Sequence, residues 1–464
     1  MGNGKMASGY DLAVRSESMR KATSAWLLLG LTSLVGAGVF SLLLVLARTP
    51  AIQEMIPLLD FFRTALVVHV TLSVLIWLLS MAGVLWSLAC ARDAPAWDRV
   101  SLGLAVSGTV IVIISPFAGA GNPLMNNYVP LLRHPLFYSG LGLFTAGITS
   151  HLLRCTFSSI HQDGHASGRL SGADALRIGC RLSALVAGLA VFAFLASLTG
   201  IPPHISGEVY FEFLFWGGGH VLQFTHTLLM MVCWILLASV SGCRYPLSPR
   251  LTVVFLVFLA LPVITVPFFY LAHDIVSPGH RLAFTELMKF GGLSCLPLGL
   301  AILYSLRSAP SPEGEARFLR SALISSLTLF ATGGILGFMI SGLDIVIPAH
   351  YHGSTVGVTI AFMGLCYYLL PRLQFGPIPP RLAFWQPVIY ASGQLVHIGG
   401  LAWSGGYGVQ RKTAGLEQGV NHLGEIAGMA LMGLGGLVSV IGGLLFLVVC
   451  YQSIRKRQAG RPTP

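Results

Sequence analysis

Long apolar runs, separated by short polar stretches, make up most of the chain. Twelve runs are long enough to cross a bilayer as helices, because about 20 residues rising 1.5 Å each span the hydrocarbon core. The pattern predicts an all-α integral membrane protein, a twelve-transmembrane-helix bundle that forms a single membrane domain over residues 1–464. The runs cover residues 24–47, 61–89, 100–119, 136–153, 178–200, 211–241, 251–272, 282–306, 319–341, 349–370, 384–404 and 424–450.

Composition and charge agree with a membrane protein, since 54% of the residues are hydrophobic and only 10% are charged. With the N-terminus placed in the cytoplasm, most of the 28 Lys and Arg residues fall in cytoplasmic segments. This asymmetry predicts cytoplasmic tails at residues 1–23 and 452–464. The first run is expected to be a retained anchor, because no small-residue cleavage site ends a short apolar core. The net charge of +11 then needs no nucleic-acid partner, since no soluble domain carries a basic face.

The eight cysteines show neither the C-x-x-C-H spacing of covalent haem attachment nor the paired C-x-x-C spacing of metal sites. None lies in a predicted outer loop, so no structural disulfide is expected. Candidate ligands must therefore come from other side chains.

The most informative motif is His350-Tyr351-His352, at the head of the tenth run. Residues two apart on an α-helix point about 200° apart, so the two histidines face opposite sides of one helix. They cannot hold one metal together, but each can hold a different centre, and imidazole is a good ligand of haem iron. The alternative is a pair of polar residues near the membrane surface. Ionisable residues within a membrane are costly and usually functional, which favours the ligand interpretation.

Three other runs carry candidate ligands at a similar outer depth. His69 lies about two turns inside the second run, where it is either a ligand or a buried hydrogen-bonding group. His220 follows a glycine triplet in the sixth run, and glycine lets a large group approach the backbone. His273 and Asp274 end the seventh run and can both turn toward one site. The alternative for that pair is a helix-end contact, with Arg281 as a rival partner of Asp274.

Other polar residues give weaker signals. Glu286 and Lys289, in the outer half of the eighth run, are spaced to neutralise each other, and a proton relay is the alternative. Arg411 and Lys412, in the loop after the eleventh run, either pair with carboxylates or are ordinary loop charges. The remaining histidines considered are interpreted as packed, solvated or surface residues: His134, His151, His161, His165, His226, His280 and His397.

The order of these motifs resembles the catalytic subunit, subunit I, of the haem–copper oxidase superfamily, which includes the nitric oxide reductases. Trp216-x-x-x-His220, His273 and His350-x-His352 occur in the sixth, seventh and tenth runs, as in that family. The tenth run also ends Tyr367-Tyr368-Leu369-Leu370-Pro371. The resemblance covers nearly the whole chain and implies a membrane bundle of the subunit I type.

The resemblance implies two haems, one low-spin and one high-spin. His69 and His352 correspond to the axial ligands of the low-spin haem, and His350 to the proximal ligand of the high-spin haem. Arg411 and Lys412 correspond to the basic pair that binds haem propionates.

A second metal facing the high-spin haem is also implied, with His220 and His273 as ligands. Familiar members of the family carry His-His where this chain has His273-Asp274. The set His220, His273 and Asp274 therefore has two imidazoles and one carboxylate, which suits non-haem iron without excluding copper.

The residue at position 224 helps to distinguish NO from O₂ as the expected substrate. Many oxygen reductases carry a tyrosine four residues after the sixth-run histidine, the well-known nitric oxide reductases carry a glutamate ligand, and this chain has Phe224. Oxygen reduction in the family takes a fourth electron from that tyrosine, whereas joining two NO molecules as N₂O needs only two electrons and two protons. The sequence thus favours NO reduction. An oxygen reductase (a cytochrome c or quinol oxidase) in which Tyr270 supplies the phenol is the alternative, and a non-catalytic b-type cytochrome with His220 and His273 idle is the third.

The chain has no site of its own for receiving electrons, so a partner subunit with a cupredoxin or cytochrome c domain is implied. The expected location is the cytoplasmic membrane of a bacterium or archaeon, with the haems toward the outer side. Residues 297–303, in the inner half of the eighth run, include no acid or base. Protons are therefore expected to come from the outer side.

Overall fold

A computed structural model of the chain describes residues 9–47, 59–90, 93–119, 122–126, 129–158, 170–340, 345–406 and 422–456. Twelve helical segments, α1 to α12, account for nearly all of these residues and match the twelve predicted runs in order. Eleven of them are long and apolar enough to cross a membrane. The other, α11, has 26 residues but carries polar side chains such as Gln386, Gln394 and His397. The predicted all-α membrane bundle is confirmed.

Eight helices are continuous in the described chain: α1 Glu17–Ala47, α4 Pro135–Phe157, α5 Gly172–Gly200, α6 Gly207–Val240, α9 Glu315–Phe338, α10 Val346–Arg372, α11 Pro380–Gly405 and α12 Leu423–Arg455. Helix α3 is Pro95–Ile114 followed by the 3₁₀ turn Ser115–Ala118. A short antiparallel ladder pairs β1, Pro123–Leu124, with β2, Leu131–Leu132.

Three helices change their hydrogen-bonding pattern along their length. Helix α2 is Leu59–Val70, the π-helical turn Thr71–Ile76 and Trp77–Ala89. Helix α7 is Pro249–Ala260, the 3₁₀ turn Leu261–Thr265 and Val266–Ala272, and α8 is Pro278–Glu286, the π-helical turn Leu287–Gly291, the 3₁₀ turn Gly292–Cys295 and Leu296–Arg307. In α7, Pro262 removes a backbone donor, which explains the change there.

Two compact units make up the chain, with α6 and α8 divided between them: residues 1–232 with 247–298, and residues 233–246 with 299–464. In the first unit, buried tryptophans fill the space between helices. A Cβ atom at Gly83 would lie 2.6 Å from the Trp26 ring, so only glycine admits that ring. Trp86 donates a hydrogen bond from Nε1 to Ser183, at 3.0 Å.

A buried polar cluster joins α2, α3 and α4 in the first unit. Arg154 donates to the Asp98 carboxylate, and His151 Nδ1 lies 3.9 Å from the same carboxylate. The other ring nitrogen of His151 lies 3.2 Å from Ser87 Oγ and 3.1 Å from the Gly83 carbonyl oxygen. The prediction that His151 is a solvated residue is wrong, because its side chain is fully buried among these groups.

In the second unit, pairs of helices approach closely at glycines. Gly333 of α9 faces Gly353 of α10, and a Cβ atom on Gly353 would lie 2.6 Å from the Gly333 Cα atom. Deeper in the unit, Tyr367 donates a hydrogen bond to Gln386 Oε1 at 2.8 Å, and Trp234 donates to Ser326 Oγ at 2.7 Å. These contacts fix α10 between α9 and α11, and they position the histidines at the head of α10.

Candidate functional site

Four histidines on four different helices share one arrangement. In each, the ring nitrogen Nδ1 lies within hydrogen-bond distance of a backbone carbonyl oxygen. The pairs are His69 with Ala37 at 2.9 Å, His220 with Trp216 at 2.7 Å, His350 with Gly333 at 2.7 Å and His397 with Met432 at 2.8 Å. A carbonyl oxygen can only accept, so Nδ1 carries the proton and a neutral ring keeps its lone pair on Nε2. Metal-binding histidines typically show this tether.

His69 lies in the first unit, in the last turn of α2 before its π-helical turn. The tether crosses from α2 to the Ala37 carbonyl of α1. Ser73, within the π turn, donates from its hydroxyl group to the His69 carbonyl oxygen at 2.7 Å. A side chain of the π turn thus contacts the backbone of His69.

His350 and His352 lie in the second unit and meet different helices, as their 200° separation predicts. The His350 ring is tethered to Gly333 of α9, and a Cβ atom on Gly337 of the same helix would lie 2.7 Å from its Nδ1. The His352 ring packs edge to face on His397 of α11, with 5.0 Å between the ring centroids. The two imidazoles are therefore separated by the body of α10.

His397 is a residue that the sequence interpretation treated as structural. Its Nδ1 tether reaches across to α12, and its ring lies against a predicted haem ligand. Because the acceptor is 35 residues away, no local pattern indicates the contact.

His220 lies in a buried aromatic cluster of the first unit. Its ring centroid is 4.7 Å from Trp216 and 5.8 Å from Phe284 of α8. The Arg281 guanidinium lies 4.6 Å from the Trp216 ring centroid. Phe224, at the position that carries a tyrosine or glutamate in family members, is also buried.

Tyr270 of α7 packs against the glycine triplet that precedes His220. A Cβ atom at Gly217 would collide with the Tyr270 hydroxyl group and lie 3.0 Å from the Phe284 ring. The hydroxyl donates to the Ala193 carbonyl oxygen at 2.9 Å and lies 2.9 Å from Ser197 Oγ. The triplet thus makes room for a phenol and a phenyl ring from α7 and α8.

His280, interpreted from the sequence as a surface residue, is fully buried in the first turn of α8. Its ring lies 4.9 Å from Tyr270 and 5.0 Å from Phe284, centroid to centroid. Neither ring nitrogen has a hydrogen-bond partner. The surface prediction is wrong because two aromatic rings cover this turn. An orphaned, buried imidazole has the chemistry of a metal ligand.

His273 and Asp274 lie at the end of α7, and both are exposed. His273 is the C-cap, with an extended backbone, and the Asp274 carbonyl oxygen accepts from Ser277 N at 2.9 Å. Among the residues that the structure describes, no three His, Cys, Asp or Glu side chains are grouped to hold a metal ion. The set His220, His273 and Asp274 therefore stays a prediction.

Other predicted residues are placed as follows. Glu286 and Lys289 form no ion pair, because the π-helical turn Leu287–Gly291 begins between them and alters their spacing. Arg411 and Lys412 lie outside the described residues, as do His161 and His165. None of the eight cysteines, all of which the structure describes, forms a disulfide.

Comparisons with known proteins extend over most of the chain. Residues 21–445 match the family described as cytochrome c and quinol oxidase polypeptide I. An uncharacterized protein of Rickettsia prowazekii (strain Madrid E) is 30% identical over 92% of this chain and 94% of its own length. An uncharacterized protein of Aquifex aeolicus (strain VF5) is 29% identical over 75% of this chain and 85% of its own.

One solved structure is similar throughout. It is the cryo-electron microscopy structure of a heme-copper terminal oxidase dimer, with a TM-score of 0.73 and 16% identity. The match covers 97% of this chain and 86% of that one. At 16% identity, the structural match supports the fold alone. Membership of the family rests on the match over residues 21–445.

Proposed function

Because the chain belongs to the cytochrome c and quinol oxidase polypeptide I family, the haem–copper oxidase subunit I superfamily, we propose that it is the catalytic subunit of a membrane reductase that converts two NO molecules to N₂O and water. Its family makes it a multi-pass membrane oxidoreductase and implies haems and a second metal. The balanced reaction consumes two electrons and two protons: 2 NO + 2 e⁻ + 2 H⁺ → N₂O + H₂O. A partner subunit with a cupredoxin or cytochrome c domain would deliver the electrons.

The observation that carries this proposal is the shared tether of His69, His220 and His350. Each of these predicted ligands presents a neutral imidazole whose Nδ1 proton is held by a carbonyl, which leaves Nε2 to bind iron or copper. Such residues fit the cofactors that the family implies. His69 and His352 are the proposed ligands of a low-spin haem, and His350 is the proposed ligand of a high-spin haem.

His220 and His273 are the proposed ligands of the second metal, and the family's paired-histidine motif makes Asp274 the third candidate. When bound, the haem iron and this metal would supply electrons and Lewis-acid positions for the gas. The protein's own contribution is to fix the imidazoles and to keep the surroundings of His220 apolar through Phe224 and Phe284.

NO is favoured over O₂ by Phe224. A buried phenyl ring offers neither an electron nor a proton at the position where oxygen reductases carry their tyrosine. Two-electron chemistry does not need that group.

Oxygen reduction is the second candidate function, and the position of Tyr270 favours it. The phenol comes from α7, reaches Gly217 one turn before His220 and lies against His280. A tyrosine placed in this way can replace the one missing from α6.

The test is to purify the complex, measure its haems and metals, and compare turnover under NO and under O₂. The Tyr270→Phe variant separates the two candidates, because it removes the hydroxyl group and keeps the ring packing. NO turnover close to that of the unsubstituted enzyme supports NO reduction. A loss of O₂ turnover of about tenfold or more, in an enzyme that turns over O₂ faster than NO, supports the oxidase alternative instead. A purified complex without any CO-binding haem would rule out both.

A further inference from the structure

His280 is the one histidine among the described residues whose two ring nitrogens are both buried without a hydrogen-bond partner. It is fully buried, and its backbone is fixed at the start of α8, where Ser277 caps the helix by accepting from His280 N at 3.2 Å. Buried polar atoms are rarely left without a partner in native proteins, and each exception calls for an explanation, of which a bound ion is one. Neither the sequence motifs nor the family comparison assigns this residue a role.

The neighbours of His280 are those of the proposed second-metal site. The Phe284 ring contacts both imidazoles, at 5.0 Å from His280 and 5.8 Å from His220 by ring centroids. All of these residues belong to the first unit.

Gly279 makes the approach of His273 to His280 sterically feasible. A Cβ atom at this position would lie 2.8 Å from His273 Nδ1, so only glycine leaves room for the His273 ring beside the first turn of α8. Asp274 has no comparable packing, since it is exposed and its carbonyl oxygen caps the turn at Ser277. The chain therefore keeps space for a pair of imidazoles, one at the end of α7 and one at the start of α8.

We infer that His280, rather than Asp274, is the third protein ligand of the second metal, together with His220 and His273. This inference rests on the proposed function, which supplies the metal. The histidine that the family places next to His273 is here provided seven residues later, by the next helix. The ligand set becomes three neutral imidazoles, a set that suits copper as well as iron.

In the part of the chain that the structure describes, no three His, Cys, Asp or Glu side chains are grouped to hold a metal ion, and the Phe284 ring contacts two of the inferred ligands. The inference therefore requires that the three imidazoles come together when the metal binds.

The experiment compares second-metal content per haem in the purified complex for His280→Gln, Asp274→Asn and the control His226→Gln. His226 is a histidine of the same helix as His220, six residues further on, and its Nδ1 is also buried without a partner. The expected result is that His280→Gln loses most of the second metal while Asp274→Asn and His226→Gln retain it. The haem spectra, recorded on the same samples, show whether each variant is folded.

Retention of the full metal content in His280→Gln, or its loss in Asp274→Asn alone, overturns the inference and leaves the proposed function intact. A complex of the unsubstituted chain that holds haems but no second metal overturns both. If His280→Gln does not accumulate, X-ray absorption of the unsubstituted complex decides the question, because scattering from three imidazoles differs from scattering from two imidazoles and a carboxylate. Two imidazoles and a carboxylate would refute the assignment of His280.

Discussion

The tether of His350 can be tested by adding one methyl group to α9. Gly333 supplies the carbonyl oxygen that accepts from His350 Nδ1, and it also lies at the closest approach of α9 to α10. In Gly333→Ala the new Cβ atom would lie 2.7 Å from the Gly353 carbonyl carbon and closer still to Ser354 N. Backbone atoms cannot rotate away, so the two helices must separate.

The size of the separation follows from these contacts. Ordinary contacts begin near 3.4 Å, so the helices must part by at least about 0.7 Å. A movement of that size along the His350 hydrogen bond would stretch it from 2.7 Å to about 3.4 Å, beyond the usual range of about 2.7–3.2 Å. Overpacking costs about 1–3 kcal/mol, and the higher helix propensity of alanine offsets about 1 kcal/mol of it. Global stability is therefore a poor measure of the effect, and haem binding is a better one.

The assay is the ferrous–CO difference spectrum of the purified complex, with the low-spin haem signal as an internal reference. We expect Gly333→Ala to lose CO-binding haem and to keep the low-spin haem. Gly334→Ala is the matched control, since nothing lies within 4 Å of a Cβ atom there. Gly337→Ala places its Cβ atom 2.7 Å from His350 Nδ1 and so displaces the ring without separating the backbones. Full CO binding in both Gly333→Ala and Gly337→Ala would refute the idea that α9 orients His350.

Three further predictions follow from the same structure. His69→Ala should remove the low-spin haem spectrum and spare the CO-binding haem, and an unchanged low-spin spectrum would refute the assignment. Turnover in proteoliposomes should take protons from the outer side and move little charge across the membrane, because residues 297–303 of α8 include no acid or base. Alkalinisation of the vesicle interior during turnover would contradict this prediction. Asp98→Asn should destabilise the protein by about 3–5 kcal/mol by leaving Arg154 buried without its carboxylate, measured by thermal unfolding; a Tm equal to that of the unsubstituted protein would show the ion pair to be dispensable.

Hydropathy alone predicted the helices well, because a membrane helix must satisfy its own backbone and so needs a long apolar run. Helical geometry also predicted the opposite faces of His350 and His352. These features depend on residues close together in sequence. The predicted separation of the two rings is therefore confirmed, and their role as haem ligands stays a prediction.

Contacts with distant helices could not be predicted from the sequence, and at His151 this led to a wrong prediction. His151 is buried by Asp98 and Ser87 from two other helices, and His397 finds its acceptor on α12. Neither contact has a local sequence signal. The ion pair considered between Glu286 and Lys289 is absent for a different reason. The spacing rule assumed an α-helix, and the chain forms a π turn there.

His280 could have been placed better from the sequence. Ser277-Pro278 is a helix-start signal, with serine as the N-cap and proline in the first turn. That signal begins the helix at Pro278 instead of at residue 282 and puts His280 inside its first turn. The burial of the ring was still beyond prediction, because Tyr270 and Phe284 must fold over it.

The π-helical turn Thr71–Ile76 changes how the number of residues in α2 relates to the faces on which its side chains lie. A π turn holds one residue more than an α turn, and each residue of an α-helix advances the side chains by about 100°. A π turn therefore takes up one additional residue while the side chains before and after it keep their faces. Deleting one residue between positions 71 and 76 would restore a uniform α-helical ladder and leave His69 on nearly the same face relative to Trp77. Relatives whose second helix is one residue shorter here are expected to keep a histidine at the position of His69.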